Sequence, residues 1–255
     1  MEALAVVGNL SLDRVDGGRS RIGGGPYHAG RAFRLLSGCR AQLLARCGDR
    51  ERSFLLPRLV ALGLHARLLH GSETTTFSFS YAGDRREMHV DALGESWTPS
   101  DVSLDRRIRW VHVAPLLRSD FDAATLGALA RGRRVLLDGQ GLVRVRKTGP
   151  LALDGSFDRA VLEHVTVLKL AEDEAATLGD VHTLGVPEVL VTRGSRGATV
   201  HVAARTFDVP ARPLPRDPTG AGDAFGAVYL AARADGLGPG SAARRATAAV
   251  AELLR

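Results

Sequence analysis

A glycine-rich turn that runs into a helix carries the clearest chemical signal of the sequence. Gly220, Ala221 and Gly222 lead directly into an apolar segment with helical spacing. Their backbone N–H groups can point at one spot, where the positive end of the helix dipole also lies, so the turn suits an anion. Asp223 follows in the first turn, where its carboxylate can take a proton from a hydroxyl that attacks a phosphoryl group. A glycine-rich helix cap with a stabilising aspartate explains the same four residues.

Other polar residues stand just after predicted strands. Asp13 comes soon after the apolar run 3–7, and an aspartate can accept hydrogen bonds from two hydroxyls of a polyol. Gln140 and Arg144 follow the run 135–138, at the carboxyl end where open α/β sheets bind ligands. A turn aspartate and a polar loop with a surface arginine are the alternative interpretations.

Glycines mark two further segments. Gly24 and Gly25 lie in a Gly-Gly-Gly-Pro run, where the missing side chains let a substrate approach the backbone. Thr192, Gly194 and Gly197 form a turn after an apolar run, and such a turn offers a hydroxyl and several N–H groups to a phosphate. Glycine-rich β-turns without a ligand are common in α/β proteins, so either segment alone is weak evidence.

The elements that position these residues alternate between short apolar runs and helical patterns. Strands are predicted at 3–7, 41–45, 66–69, 110–114, 135–138, 165–168 and 189–192. Helices are predicted at 27–36, 51–62, 121–130, 157–163, 172–178, 223–234 and 241–254. This rhythm predicts an α/β fold with a mostly parallel sheet that is covered on both faces.

Two segments break the rhythm and predict a small separate sheet of about four strands. Residues 10–22 suggest two strands around a Gly17-Gly18 turn, and residues 74–90 suggest a hairpin around Ala82-Gly83-Asp84. A small sheet beside an α/β core usually serves as a lid or a dimer contact. The alternative is an edge extension of the main sheet.

The turn at Asp223 also carries a family resemblance. Asp217-Pro-Thr-Gly-Ala-Gly-Asp223-Ala-Phe closely resembles the C-terminal signature of the ribokinase-like carbohydrate and nucleoside kinases. The segments at Asp13, at Gly24, at Thr74, at Gln140, at Glu174 and at Thr192 match the same family in the same order. The resemblance implies one domain over residues 1–255, an α/β three-layer sandwich with a mostly parallel central sheet and a small β-sheet lid. The lid strands are expected within 10–22 and 74–91.

The resemblance implies a role for each of these residues. Asp223 is expected to be the general base, and Gly220, Ala221 and Gly222 form the anion hole with it. The expected substrate-binding residues are Asp13, Gly24, Gly25, His28, Gln140 and Arg144. Thr192, Gly194 and Gly197 are expected to face the nucleotide. Glu174 matches the glutamate that organises magnesium and phosphate, often through water. An alternative is that Glu174 and its acidic neighbours only enrich a helix N-terminus in negative charge.

The sequence departs from the family pattern at three places. His28 and Ala171 stand where the family commonly has asparagine, so the contacts to the acceptor and to the metal or phosphate are expected to differ. The sequence ends at Arg255 soon after the last predicted helix, where family members usually continue. We therefore expect one wall of the adenine pocket to be short or supplied otherwise, which makes the phosphate donor less certain than the transfer chemistry.

These observations predict a magnesium-dependent kinase that transfers the γ-phosphate of ATP to a hydroxyl of a small polyol, namely a sugar, a sugar acid or an inositol. The run Asp138-Gly-Gln-Gly-Leu-Val-Arg144 looks most like the sugar- or inositol-kinase branch. One alternative is a nucleoside kinase, in which Phe77, Phe79 and Tyr81 would stack on a base. The other is a degenerate kinase that binds a sugar as a sensor.

The amino-acid composition limits which class of protein and which partners are expected. The chain has 255 residues, of which 45% are hydrophobic and 24% charged, as in ordinary globular proteins. Its net charge of +6 comes with arginines spread along the chain and few aromatic residues, which argues against a nucleic-acid partner. We expect no membrane segment, no secretory leader and a cytoplasmic location, with Cys39 and Cys47 as free thiols. A homodimer through the lid is expected by analogy.

Overall fold

The computed structural model describes residues 3–15, 18–82, 85–212 and 219–255. Among these residues, no helix combines the length and the apolar character needed to cross a bilayer. Gly17, Gly83 and Asp84 of the predicted turns, and Asp217 and Pro218 of the predicted signature, lie outside the described residues.

A nine-stranded sheet forms the body of the molecule, as the alternation of strands and helices predicts. In spatial order its strands are β14 (Arg205–Val209), β13 (Ala198–Val202), β12 (Glu188–Thr192), β11 (Val167–Ala171), β9 (Arg134–Asp138), β8 (Ile108–Ala114), β1 (Ala3–Asn9), β4 (Ala41–Gly48) and β5 (His65–Gly71). The seven strands from β12 to β5 are parallel, and β13 and β14 pair antiparallel at one edge. The fold is therefore α/β with a mostly parallel central sheet.

A separate five-stranded sheet lies beside this body. Its strands in spatial order are β10 (Gly149–Pro150), β7 (Arg85–Ala92), β6 (Thr75–Ala82), β2 (Ser11–Val15) and β3 (Arg21–Gly23). The alternation that predicted the hairpin is present, because Phe77 and Phe79 are buried against Leu116 and Leu117 while Ser80 is exposed. The predicted small sheet is thus confirmed, with the two-residue β10 as an addition. We call this sheet the lid.

Helices cover both faces of the main sheet and close the core. They are α1 (Gly25–Phe33), α2 (Asp49–Val60), α3 (Ala123–Ala130), α4 (Gln140–Val143), α5 (Glu172–Leu178), α6 (Ala221–Ala234) and α7 (Pro239–Leu253), with 3-10 turns at Arg159–His164, Val181–Leu184 and Gly194–Arg196. The alternation along β1 shows the layering: Leu4 and Val6 pack in the cluster of α1, α6 and α7, and Ala5 and Val7 pack in the cluster of α3 and α5. Three layers result.

The differences from the predicted elements are small and have local causes. The helix predicted at 157–163 is a 3-10 helix over Arg159–His164, and the strand predicted at 165–168 runs over Val167–Ala171. The hairpin of β13 and β14 was missed. Its residues alternate only partly and its outer strand is largely exposed, so the apolar periodicity is weak there.

Candidate active site

The carboxyl ends of the main strands, the lid and the first turn of α6 enclose a small cavity of about 130 Å³. Predicted site residues from four separate segments line it, and they are Asp13, Gly24, His28, Gln140, Arg144, Gly220 and Asp223. Phe77, Phe79, Met88 and Leu116 form its apolar side. The fold thus brings together residues that are up to 210 positions apart in the sequence (Asp13 to Asp223). We call this space the acceptor cavity.

Asp13 is held in place by its own strand neighbours. The residue is buried on β2, and Ser11 Oγ donates a hydrogen bond of 2.8 Å to Asp13 Oδ1. A Cβ atom added at Gly23 would lie 2.4 Å from Asp13 Oδ2 and from Ser11 Oγ. The side chain of Asp13 therefore requires a glycine at position 23 of the paired strand β3.

Gly25, the last of the three glycines before Pro26, is the point where α1 meets the predicted base. A Cβ atom at Gly25 would lie 3.1 Å from Asp223 Oδ1 and 2.2 Å from the Cβ atom of Ala114. Gly25 is not among the residues that line the acceptor cavity. Gly24, which does line it, caps α1 with a φ of 93°, a left-handed conformation that favours glycine.

His28 occupies the space beside the glycine turn. It is buried on α1, and a Cβ atom at Gly220 would lie 2.0 Å from His28 Nδ1. Gly220 also has a φ of 79°, so both its backbone and its neighbour require a glycine. The ring of His28 stands where the family pattern has asparagine, beside Gly220 of the predicted anion-binding turn.

Gln140 and Arg144 flank the acceptor cavity at the end of β9. Gln140 Nε2 donates a 2.5 Å hydrogen bond to the carbonyl of Pro115, which fixes the amide with its oxygen available. Arg144 Nη2 lies 3.7 Å from Glu174 Oε1, and Glu174 Oε2 accepts a 2.8 Å hydrogen bond from the N–H of Ala171. Glu174 is buried, so this carboxylate links the cavity wall to the start of α5.

A second cavity, of about 330 Å³, lies on the other side of the first turn of α6. It is lined by the predicted nucleotide residues Thr192, Gly194 and Gly197 together with Ala221 and Gly222. Thr192 Oγ1 donates a 3.1 Å hydrogen bond to the carbonyl of Leu170, and a Cβ atom at Gly197 would lie 2.0 Å from the carbonyl oxygen of Val209. Phe225, Val250, Ala251 and Leu254 form its apolar side, and Arg212 lies at its edge. We call this space the donor cavity.

The first turn of α6 is the wall that both cavities share. Gly220 and Asp223 line the acceptor cavity, whereas Ala221 and Gly222 line the donor cavity. The free N–H groups of a helix N-terminus attract anions. A phosphate held at this turn from the donor side would therefore face a hydroxyl that approaches from the acceptor side.

Asp223 has the protonation behaviour of a base that works near neutral pH. Burial of its carboxyl group, and next the negative charge of Asp138, raise the pKa of Asp223 to about 6. The positive charges of Lys169, His112 and Arg144 act in the opposite direction. A general base is most effective when its pKa lies near the working pH. Asp223 is ionised at pH 7 but still accepts a proton readily.

The sequence analysis missed a buried charge network under this turn. The side chains of His112, Asp138 and Lys169 come from β8, β9 and β11, which are adjacent strands. His112 Nε2 lies 2.8 Å from Asp138 Oδ2, and Lys169 Nζ donates a hydrogen bond to Asp138 Oδ1. All three residues are buried. The available signal was the presence of titratable residues within or beside three predicted apolar strands, namely His112, Asp138 and Lys169. The sequence does not show which strands are adjacent in the sheet, so it does not show that these side chains meet.

The pKa values in this network follow from mutual pairing. Burial alone would raise the pKa of Asp138, but Lys169 and His112 hold it below its usual range. Burial would likewise lower the pKa of Lys169, yet the carboxylates of Asp138, Glu174 and Asp223 raise it to about 12. Burial is also the main reason that the pKa of Glu174 is raised. Lys169 therefore stays protonated at neutral pH, in the middle of three carboxylates.

The predicted magnesium residue Glu174 has no direct coordination sphere of protein side chains around it among the described residues. Within the described ranges, no group of three or more His, Cys, Asp and Glu side chains could hold a metal ion. Both oxygens of Glu174 already face protein groups, the N–H of Ala171 and the guanidinium of Arg144. Magnesium is usually bound by one or two carboxylates, substrate phosphates and several waters. Glu174, which pairs with Arg144 of the acceptor cavity wall, could therefore contact such an ion only through water.

Comparisons with known proteins agree with this architecture. Residues 157–254 match the model of the pfkB family of carbohydrate kinases. Inositol 3-kinase from Zea mays is 30% identical over 204 residues, which cover 74% of this chain and 53% of that protein. The 2-dehydro-3-deoxygluconokinase of Escherichia coli K12 is 45% identical over 69 residues, which cover 25% of this chain and 22% of that protein. The chain thus matches about half or less of the length of these relatives.

A solved structure extends the likeness to the whole fold. It is a pyrophosphate-dependent kinase in the ribokinase family, complexed with a pyrophosphate analog and myo-inositol. It superposes with a TM-score of 0.87 over 99% of this chain and 95% of its own, at 23% identity. The resemblance predicted from the motifs is therefore confirmed at the level of the fold, which is ribokinase-like, and residues 157–254 match the pfkB family of carbohydrate kinases.

Proposed function

We propose that the protein is a kinase that phosphorylates a hydroxyl of a small polyol, with Asp223 as general base. The observation that carries the proposal is the shared wall between the two cavities, formed by the first turn of α6. The acceptor hydroxyl gives its proton to the Asp223 carboxylate while its oxygen forms a bond to the terminal phosphorus of the donor. The bond from that phosphorus to the bridging oxygen breaks, and its electron pair leaves with the remaining phosphate.

The anion hole provides the electrostatic part of the reaction. The N–H groups at Gly220, Ala221, Gly222 and Asp223 face the place where negative charge collects on the transferred group. Bound magnesium would neutralise donor phosphate charge, and Glu174 would hold it through water. The lid excludes water when an acceptor is bound, which limits hydrolysis of the donor.

The size of the acceptor cavity favours a single ring over a nucleoside. Its volume of about 130 Å³ is small, and pockets for larger organic ligands occupy roughly 300–1,000 Å³. Asp13, Gln140 and Arg144 place hydrogen-bonding groups around it, as a polyol requires. Phe77 and Phe79 line the cavity and are also buried against Leu116 and Leu117, so their position does not by itself favour a base over another ring. The side chain of Tyr81 lies outside the described part of the chain.

The approach to the acceptor cavity is basic, which favours acceptors with an acid group among the polyols. A wider cleft of about 570 Å³ shares Asp13 and His28 with the acceptor cavity. Arg21, Arg31 and Arg58 line this cleft, and all three are exposed. Such a cluster raises the local concentration of anionic substrates and makes their capture dependent on salt. The relatives include both cases, an inositol kinase and a sugar-acid kinase.

We propose ATP as the phosphate donor. The donor cavity continues from the glycine turns to an apolar side made by Phe225 and by Val250, Ala251 and Leu254 at the end of the chain, which suits a purine ring. The fold neighbour that is described as pyrophosphate-dependent provides the competing candidate. Pyrophosphate would need only the phosphate end of the cavity and would leave the apolar side unused.

A variant at the apolar side separates the two donors. Ala251→Trp should fill that side and raise the KM for ATP at least about tenfold, because a blocked base-binding surface costs about 1.4 kcal/mol or more. Ala248→Trp, on the exposed face of the same helix, is the control and should leave the KM unchanged. Turnover with pyrophosphate that is equal in wild type and Ala251→Trp, with none from ATP, would replace ATP by pyrophosphate in the proposal.

The function itself is tested by donor consumption over a panel of acceptors. The panel contains inositols, ketoses, aldoses, sugar acids and nucleosides, each with magnesium and with ATP or pyrophosphate, and Asp223→Asn is measured in parallel. We expect turnover with a single-ring polyol and its loss in Asp223→Asn. A protein that binds a polyol tightly but transfers phosphate from neither donor would instead be the sugar sensor.

A homodimer through the lid remains a proposal with a specific test. The outer face of the lid is polar, with Ser78 and His89 each within hydrogen-bond distance of Asp91. A dimer through this face would therefore depend on polar contacts, and sedimentation of wild type against Asp91→Lys would detect it.

A further inference from the structure

Lys169 lies at the centre of the transfer site although no motif pointed to it. Its side chain is buried at the carboxyl end of β11, and Nζ donates a hydrogen bond to Asp138. On its other side is the anion-binding turn, since a Cβ atom at Gly222 would lie 2.9 Å from Lys169 Nζ. The ammonium group thus lies close to the space left by the missing side chain of Gly222, the residue that precedes the base.

We propose that Lys169 is a positioning residue for the phosphoryl transfer: its buried ammonium, anchored by Asp138, keeps the Asp223 carboxylate ionised and in register with the anion hole. This inference rests on the proposed function, because it assigns Lys169 a task in that reaction.

The charges around Asp223 explain why such a cation is needed. Asp138 on β9 is buried nearby, and its negative charge opposes ionisation of Asp223. Lys169 on β11, His112 on β8 and Arg144 after α4 favour ionisation, with Lys169 as the largest contribution among the three. Asp13 and His28 line the acceptor cavity together with Asp223, and Glu174 faces Lys169. Without the ammonium, Asp223 would share a desolvated space with the other carboxylates.

The network behind Lys169 holds it rigidly. Asp138 binds Lys169 with one oxygen and faces His112 Nε2 at 2.8 Å with the other. A Cβ atom at Gly226 would lie 3.2 Å from the His112 ring, so α6 packs directly on this histidine. The same helix therefore rests on the network at Gly226 and begins above Lys169 at Gly222. A change at Lys169 is transmitted to the first turn of α6 and to the base.

The residue type is specific to this place. A lysine ammonium is compact, whereas the planar guanidinium of arginine is larger and carries five donors. The space between Asp138 and Gly222 is tight around the smaller group, because a single Cβ atom added at Gly222 would already lie 2.9 Å from Nζ. Lys169→Arg should therefore keep the charge but displace the turn.

The chain offers a direct physical test because it contains only two lysines, Lys147 and Lys169. Labelling with ¹³C-lysine gives two side-chain signals, and Lys147→Arg assigns them. We expect the Lys169 signal of the wild type to shift with a midpoint near pH 6, where Asp223 titrates, and the Lys147 signal to stay constant. Asp223→Asn should abolish that midpoint. A midpoint that persists in Asp223→Asn, or no shift of Lys169 between pH 5 and 8, would overturn the inference.

Kinetic pH profiles provide a readout that a merely structural role would not move. Lys169→Met should raise the pH at which kcat/KM falls off on the acid side, with roughly a fivefold loss at pH 6 for a displacement of one pH unit. Asp138→Asn removes the opposing charge and should move the same limb to lower pH. The exposed Lys147→Met is the matched control and should follow the wild type.

The lysine titration and the kinetic pH profiles together distinguish failure of this inference from failure of the proposed function. If Lys169→Met does not fold, the shift in Asp138→Asn still has a predicted sign, and a shift in the other direction contradicts the inference. Equal acid limbs in folded Lys169→Met and wild type also contradict it. If the wild type transfers phosphate to no acceptor, the proposed function fails, but the Lys169 signal still reports whether its ammonium senses Asp223.

Discussion

Replacing Asp223 by asparagine should make the protein more stable while it abolishes turnover. Burial and Asp138 raise the pKa of this carboxyl from 3.8 to about 6. At about 1.4 kcal/mol for each tenfold change in proton affinity, the ionised group costs the fold roughly 3 kcal/mol at pH 7.5. The helix dipole at the N-terminus of α6 offsets this cost, because it stabilises the ionised carboxylate by about 0.3–1 kcal/mol. The variant should therefore gain about 2 kcal/mol, or roughly 4–8 °C in Tm for a chain of this size.

The pH dependence gives this prediction its sign. The folded carboxyl binds its proton more tightly than the unfolded one, so protonation stabilises the wild type as the pH falls through about 6. The advantage of Asp223→Asn should be nearly complete above pH 6 and disappear below about pH 3.8, where the wild-type carboxyl is protonated in both states. Differential scanning calorimetry at pH 4.5, 6 and 7.5 measures it.

Activity and a matched variant complete the test. Loss of the base should reduce kcat at least ~10²-fold with little change in binding of donor or acceptor. Asp49→Asn, an exposed aspartate in the first turn of α2, is the control and should change neither quantity by much. A less stable Asp223→Asn at pH 7.5, or near-normal turnover, would refute the reasoning that the fold holds this carboxylate at a cost for catalysis.

Two further variants test the acceptor side and the frame of the site. Gly23→Ala should displace Asp13, whose Oδ2 lies 2.4 Å from the new methyl position, and raise the acceptor KM about 3–10-fold, the value of one hydrogen bond; an unchanged KM would argue against Asp13 as a substrate contact. Tyr229→Phe removes the buried hydrogen bond to Glu188 and should cost about 1–2 kcal/mol by thermal unfolding without changing turnover, since Glu188 still pairs with Arg233 at 3.2 Å.

Local patterns were sufficient to predict most of the fold. The apolar runs of six of the seven parallel strands are largely continuous because both faces of these strands are buried, and such runs are visible in a sequence, whereas the edge strand β5 is half exposed. The lid hairpin was visible for the opposite reason, because Phe77 and Phe79 alternate with Ser78 and Ser80 across a half-exposed sheet. The pair β13 and β14 gave neither signal. Its outer strand exposes Arg205, Thr206 and Asp208, and its turn residues resemble those of any loop.

The site residues were predicted from motifs. A motif indicates which residues belong to a site, but it does not indicate which cavity each residue lines. Nothing in the sequence distinguishes Gly24, which lines the acceptor cavity, from Gly25, which makes room for Asp223 Oδ1. In the same way, Ala221 and Asp223 are two positions apart but lie toward different cavities, because the first turn of a helix presents successive residues to different sides. The division between donor and acceptor is a property of the helix start, and only the folded chain shows it.

Amino-acid usage holds one signal that the motif search did not use. The sequence has 34 lysines and arginines, of which only Lys147 and Lys169 are lysine. In a chain that uses arginine almost everywhere on its surface, a lysine at the end of an apolar strand marks a position where a guanidinium does not fit. The structure supplies the reason at Lys169, because its ammonium lies between the Asp138 carboxylate and the space left by the missing side chain of Gly222. Lys147 is exposed and shows no such constraint, so burial must be known before rarity can be interpreted.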